Sequence, residues 1–350
     1  MRALAPDRSS AHFALACCKD MNEFELIRRY FDRRAGDALL GIGDDCALLS
    51  QRDGFELAVS TDMLVSGRHF FPDAEPEALG WKALAVNLSD LAAMGAAPRA
   101  FTLALALPEA NEAWLGAFSR GLFDCADRHR CELIGGDTTR GPLNICVTVL
   151  GEAPRGAAIR RSGARAGDEV WVSGVLGDAA LALRAMRAQK RSEHESSRAA
   201  GTTSGARASL VRSLERPVPR IALGIALRGV ASAMIDLSDG LAGDLAHVLA
   251  ASKVGATIAP DRLPLSNVLA AEARTLQLEC ALGGGDDYEL CFTAPASARE
   301  AVRRAGTQAA VQLTRIGIID GHEGLRCTHP DGSPFRFPDG VAIGSFDHFA

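Results

Sequence analysis

At 350 residues, with 47% hydrophobic and 23% charged side chains, the chain exceeds the usual size of one domain and has the balance of an ordinary soluble globular protein. Aromatic residues are only 5%, which argues against stacking platforms for single-stranded nucleic acid, and a net charge of −5 argues against a basic field toward nucleic acid or anionic lipid. No apolar run reaches the length of a membrane span, and the nine cysteines include no Cys-x-x-Cys pair. Reduced thiols, a cytoplasmic location, and neither nucleic acid nor membrane as partner are therefore expected.

Residues 1–20 carry a short apolar patch, Ala11 to Cys18, without a clear cleavage site, and read as a disordered extension or a misassigned start before Met21. Met21 to Asp32 has helical periodicity, with Phe24, Ile27 and Phe31 on one face. Phe55 to Val59 alternates like a strand that ends at Ser60-Thr61-Asp62. Pro76 opens a long helix closing near Gly95, with Pro98 beyond it. Strands over Phe101–Leu107, Cys131–Ile134 and Leu143–Leu150 flank a helix over Glu112–His129. The alternation restarts with a strand at Glu169–Ser173 and a helix at Asp178–Arg187. Residues 188–209 are polar, Gly/Ser-rich and aperiodic, and read as a flexible insertion. A helix over Arg220–Gly229, a strand over Ala231–Ile235, a helix to about Ala251, and strands at Glu289–Thr293 and Leu313–Ile319 follow. The expected class is α/β with mixed sheets in two domains, 21–155 and 156–350, divided near Pro154.

One arrangement recurs along the chain. An apolar element leads to a small residue and then to one or two aspartates: Gly43-Asp44-Asp45, Ser60-Thr61-Asp62, Asn87-Leu88-Ser89-Asp90, Gly136-Asp137-Thr138, Asp236-Leu237-Ser238-Asp239 and Gly285-Asp286-Asp287. Each alone is a turn or a helix cap. Together, at the carboxyl ends of the strands of an open sheet, the aspartates would share one cleft. Clustered carboxylates repel unless a cation neutralises them, and magnesium is usually held by a few carboxylates plus substrate phosphates. The set reads as a multi-magnesium phosphate site, to which Ser60 and Thr61 can add oxygens. No Walker loop, dinucleotide fingerprint, protein-kinase signature or nucleophile elbow is present, so metals, glycine amides and groups such as Arg161 must handle the phosphates.

At these stations the sequence resembles the thiamine-monophosphate kinase family, within the superfamily of aminoimidazole-ribonucleotide synthetase. The matching phrases are GIGDDCALL (41–49), STDMLVSGRHF (60–70), WKALAVNLSDLAAMGA (81–96), LIGGDTTRGPL (133–143), RRSGARAGD (160–168), IDLSDGLAGDL (235–245), GGGDDYELCFT (283–293) and FDHF (346–349). The resemblance implies a two-domain fold, a homodimer through the N-terminal sheet, and transfer of the γ-phosphate of ATP to thiamine monophosphate with several magnesium ions. Carried over by position, Asp45, Ser60, Thr61, Asp62, Asp90, Asp137, Asp236 and Asp239 would be magnesium ligands. Gly136, Asp137, Arg161 and Ser238 would contact ATP, and His69, Asp286 and Phe346 would hold the thiamine substrate. The family's GGEDYEL phrase usually has glutamate where this chain has Asp286.

Two rival readings follow from the same phrases. Cys18-Lys19 superficially matches the catalytic pair of selenophosphate synthetases, but without their glycine-rich segment, and the tail Asp347-His348-Phe349-Ala350 lacks the terminal cysteine of the hydrogenase-maturation protein. A non-catalytic nucleotide-sensing scaffold is disfavoured by retention of every acidic station.

Overall fold

The computed structural model describes residues 22–33, 36, 38–42, 45–195, 204–339 and 341. The 1–20 extension, Met21, Gly43, Asp44, residues 196–203 of the expected insertion, Phe346 and the FDHF phrase lie outside the described residues.

The first half runs α1 (Glu23–Tyr30), β1 (Phe55–Val65), α2 (Pro76–Ala93), β2 (Ala97–Leu107), α3 (Glu112–His129), β3 (Glu132–Arg140) and β4 (Asn144–Pro154). The second half opens with β5 (Asp168–Ser173), α4 (Asp178–Glu195), α5 (Ser204–Glu215), α6 (Ile221–Ala226) and β6 (Ala233–Asp236). It continues with α7 (Leu241–Ser252), β7 (Gly255–Ile258), α8 (Asn267–Ala270) and α9 (Arg274–Gly283). It closes with β8 (Leu290–Pro295), α10 (Arg299–Ala309), β9 (Leu313–Asp320) and β10 (Gly324–Cys327). A four-stranded sheet has the order β1-β4-β2-β3, and a six-stranded sheet the order β10-β7-β9-β5-β8-β6. Both are mixed, since β2 pairs parallel with β3, and β10 with β7, while the other pairs are antiparallel. This is the expected α/β class.

Three expectations need correction. Ser60, Thr61 and Asp62 do not follow a strand; β1 continues to Val65, because pairing with β4 runs on to the Val65–Asn144 register. Likewise Gly135 to Asp137 lie inside β3, whereas Asn87 to Asp90 fall, as expected, within the helix that Pro76 opens. Residues 188–195 are not an aperiodic insertion; they complete α4, and 204–209 begin α5, which packs against α4 through Leu210, Leu214, Leu181 and Ala182.

The central element is α2. Leu84, Ala85, Leu88 and Ala92 are fully buried, and almost every position from Ala78 to Ala93 is inaccessible. A helix apolar on all sides must be enclosed on all sides. It packs on α3, on the first sheet, and on α6 and β6 of the second half. Glu75 caps its start, accepting from the Glu77 and Ala78 amides, and Pro76 occupies the first turn, where no amide is needed. The Trp81 indole donates to Pro217 O at 2.8 Å, tying α2 to the second half. Among the described residues no helix is long and apolar enough to cross a membrane.

Candidate active site

Between the two halves lies a cleft of about 1090 Å³. Its walls are the end of β1 with the loop after it, one face of α2, the inner side of α4, the turn after β6, and the glycine-rich loop before β8. On α2, the lining residues Ala78, Lys82, Val86 and Asp90 repeat every four positions, which stacks them on one stripe of the helix.

The acidic end is built from distant segments. Asp62 on β1 is held beside α2 because its amide donates to Asn87 Oδ1 at 2.9 Å, while Asn87 Nδ2 donates back to Ala83 O at 3.0 Å. Ser60 Oγ donates to Asp90 Oδ2 at 2.5 Å. Asp236 ends β6, and Asp239 follows in the turn before α7. That turn is fastened from beneath: the amides of Asp239 and Gly240 both donate to Asp244 Oδ2 at 3.1 Å.

Crowding these carboxylates costs free energy. Burial first, then the charges of Asp90 and Asp239, push the Asp62 carboxyl up to about 6. Asp236 is pushed up to about 7, by burial first and then by Asp90 and Asp244. The neighbouring Ser89 hydroxyl offsets part of this, although it meets strict hydrogen-bond geometry with no described residue. Burial also raises Asp90, against the Ser60 bond and the charge of Arg161, and raises Asp244 to about 6. Such a donor set has the chemistry of a hard-cation site. Among the described residues no three His, Cys, Asp or Glu side chains form a closed metal-holding group. An open set of this kind suits magnesium, which keeps waters and takes substrate phosphate oxygens.

The opposite region is built for polar recognition. His69 Nδ1 accepts the Val65 amide at 2.9 Å, which places the ring proton on Nε2 and makes that nitrogen a donor. Asp286 pairs with Lys82 at 3.0 Å and accepts from the Tyr288 hydroxyl at 3.2 Å. Burial pushes the Tyr288 phenol well up, and the nearby charges of Asp286, Asp62 and Asp236 act the same way, so it remains a donor. Gly285 packs so closely on the turn after β6 that a Cβ there would stand 2.3 Å from Ser238 O. This approach brings the Asp286 loop against the Asp236–Asp239 turn, and the Asp286 amide donates to Ser238 O at 2.9 Å. Along α4, Arg184, Arg187 and Lys190 add positive charge to the far wall.

Of the residues singled out in the sequence, Asp62, His69, Asp90, Arg161, Asp236, Ser238, Asp239 and Asp286 line this cleft. Ser60 touches it through Asp90. Asp45 is exposed and outside the lining. Thr61 is on the other face of β1, where it meets Thr148 at 2.8 Å, because successive strand residues alternate between faces. Gly136 and Asp137 are exposed on β3, at the opposite sheet edge. The register Asp137–Ala104–Cys146–Met63 sets Asp137 about 14 Å from β1, three strand spacings away. Gly136 itself serves strand pairing: at φ 152° a Cβ would stand 1.9 Å from Leu103 O. Sequence reasoning missed Lys82, Tyr288, Asp244 and the basic face of α4. The four-residue spacing from Lys82 to Val86 and Asp90 was the signal for the first of these.

The comparisons with known proteins agree with this construction. Residues 43–153 match the N-terminal domain of AIR synthase related proteins, and residues 165–329 match their C-terminal domain. A thiamine-monophosphate kinase of Salmonella typhimurium is 47% identical over 333 residues, covering 94% of this chain and 98% of the relative. The crystal structure of thiamine-monophosphate kinase from Stenotrophomonas maltophilia is 48% identical with a TM-score of 0.78, covering 89% of this chain and 96% of that one. A structure of AaThiL complexed with AMPPCP and TMP is 31% identical with a TM-score of 0.69, covering 83% and 88% of the two chains. The chain therefore belongs to the thiamine-monophosphate kinase family, built on the two domains of AIR synthase related proteins.

Proposed function

We propose that the chain is an ATP-dependent kinase that transfers the γ-phosphate of ATP to the phosphate of thiamine monophosphate, giving thiamine diphosphate, the last step in making that cofactor. The observation that carries this reading is one cleft with a carboxylate cluster at Asp62, Asp90, Asp236 and Asp239 and basic groups on its other walls. At about 1090 Å³ it stands at the upper end of the size range of ligand clefts, a size that suits a nucleotide beside a second phosphorylated substrate. AMPPCP and TMP are the ligands of the AaThiL complex.

Asp62, Asp90, Asp236 and Asp239 would hold several magnesium ions. When bound, the ions supply charge neutralisation between phosphates that would otherwise repel. On this reading Arg161 and Ser238 contact ATP, and His69 and Asp286 contact the acceptor; that all four line the cleft supports it. The acceptor phosphate is already anionic at neutral pH, so its attack on the γ-phosphate in line with the departing ADP needs no strong general base. His69 fits that scheme as an Nε2–H donor that orients an acceptor oxygen. No phosphorylated enzyme intermediate forms. Asp45, Ser60, Thr61, Gly136, Asp137 and Phe346 keep their assigned roles on the resemblance alone.

A homodimer through the first sheet belongs to the same reading. Alternation along β1 turns Ala58 and Leu64 into the core and leaves Leu57, Val59 and Met63 more than half exposed on the other face. An apolar row of this kind suits a second copy of the sheet. A cytoplasmic enzyme without nucleic-acid or membrane partners completes the proposal.

The test is ADP release with ATP and magnesium, with and without thiamine monophosphate, repeated with thiamine and hydroxymethylpyrimidine phosphate. ADP release dependent on thiamine monophosphate is expected; ATP turnover indifferent to it would sink the proposal. A phosphorylated protein trapped after incubation with ATP alone would refute direct transfer, and light scattering at monomer mass would refute the dimer.

A further inference from the structure

We infer that Lys82 is a substrate-positioning residue: it fixes the Asp286 carboxylate through Oδ1, so that Oδ2 is presented to an amino or cationic group of the acceptor substrate. This rests on the kinase reading given above and extends it to a residue that the family phrases did not assign.

Lys82 is only 6% exposed, at the centre of the α2 stripe that lines the cleft. A buried ammonium is costly unless it is paired, and an apolar side chain would fill the same space at less cost. Its pairing crosses from one half of the molecule to the other, to Asp286 Oδ1 at 3.0 Å. The Tyr288 hydroxyl donates to the same oxygen at 3.2 Å. Both donors therefore converge on Oδ1, and no described residue bonds Oδ2. The Asp286 side chain is 28% exposed and lines the cleft, so the remaining oxygen is open to a ligand.

The backbone shows that this orientation is built. Asp286 has φ 69° and Tyr288 φ 49°, left-handed conformations uncommon for residues with a Cβ, most of all for a bulky tyrosine. The bonds holding them are the Asp286 amide to Ser238 O at 2.9 Å and the Tyr288 amide to Leu237 O at 2.8 Å. Ser238 stands between Asp236 and Asp239, so the clamp is attached to the turn that carries the acidic end of the cleft. A carboxylate oxygen oriented in this way complements the amine and the cationic ring of a thiamine phosphate.

The test compares Lys82→Met, Lys82→Arg, Asp286→Asn and the double variant Lys82→Met/Asp286→Asn with the wild-type chain, measuring kcat and both KM values. Losing one charge-assisted contact should raise the acceptor KM by about tenfold to a hundredfold in Lys82→Met and in Asp286→Asn. The ATP KM should stay within about twofold, because only acceptor binding is touched. The double variant should be no worse than the poorer single one, since both substitutions break the same contact. Lys82→Arg should recover part of the loss, which a purely packing role would not predict. If Lys82→Met fails to fold, Lys82→Arg carries the test: it keeps the charge but moves it, so a raised acceptor KM with an unchanged ATP KM is expected, and a wild-type acceptor KM would overturn the inference. Multiplying losses, or an unchanged acceptor KM in Lys82→Met, would overturn the inference alone. A wild-type chain without thiamine-monophosphate-dependent ADP release would remove the kinase reading and this inference with it.

Discussion

Replacing Asp236 with asparagine should make the cation-free protein more stable while abolishing phosphate transfer. Asparagine keeps the shape of the side chain and removes its charge. In the folded protein the carboxyl is raised from 3.8 to about 7, chiefly by burial and then by Asp90 and Asp244. A group that holds its proton more tightly when folded opposes folding wherever the unfolded chain has already lost that proton. The penalty is absent below pH 4, grows as pH rises toward 7, and is constant above that. Taken alone it amounts to about 4 kcal/mol above neutrality. Asp90 titrates with the same cluster and relaxes with it, which brings the expected gain for Asp236→Asn to about 1–3 kcal/mol. For a protein of this size that raises the melting temperature by about 1–4 °C. The assay is thermal unfolding at pH 5 and pH 8 in a chelator, then with magnesium. The gain should be large at pH 8 and small at pH 5, and magnesium should stabilise the wild type more than the variant. A variant no more stable than wild type at pH 8, or equal stabilisation of both by magnesium, would refute the reasoning.

Other consequences follow from particular contacts. Glu289 is 5% exposed and is held by Arg220 and the Ser173 hydroxyl, so Arg220→Ala should destabilise by about 3–5 kcal/mol in urea unfolding, with Arg220→Ala/Glu289→Ala recovering much of it; losses that simply add would contradict a buried pair. Gly285→Ala forces a Cβ to 2.3 Å from the backbone oxygen of Ser238, and the resulting shift of the Asp286 loop should lower kcat/KM by about tenfold or more together with a lower melting temperature; unchanged kinetics would show that the two loops need no close contact. Burial, aided by Arg128, lowers His129 from 6.5 to about 4. The folded protein therefore keeps this ring neutral while the unfolded chain takes up a proton, so stability is lost as pH falls from 6.5 toward 4. His129→Gln should flatten the urea midpoint over that window, and an unaltered pH dependence would exclude His129 as the cause.

Local patterns carried much of the fold. The Glu112–His129 helix was readable because its apolar positions recur at helical spacing, and α2 because Pro76 and Pro98 bracket it. The errors have physical causes. At Asp62 the apolar alternation stops, yet β1 runs on because backbone pairing with β4 does not depend on which side chain is attached. Residues 188–191 are exposed or half-buried near the end of α4, so no apolar periodicity marks them as helix. The four-residue strands β7 and β10 are too short to show alternation. At the site, the aspartates were visible as residue types, but their faces were not. Thr61 and Asp62 are neighbours in sequence and belong to opposite faces of β1, so one joins the open sheet surface and the other the cleft. Asp62 and Asp236 are far apart in sequence and meet because α2 packs on β1 with one side and on β6 with another. The same enclosure hid Lys82. A lysine within an apolar helix reads as a surface break in the pattern, and its four-residue spacing to Val86 and Asp90 gains its meaning once Asp286 arrives from the other half to pair with it.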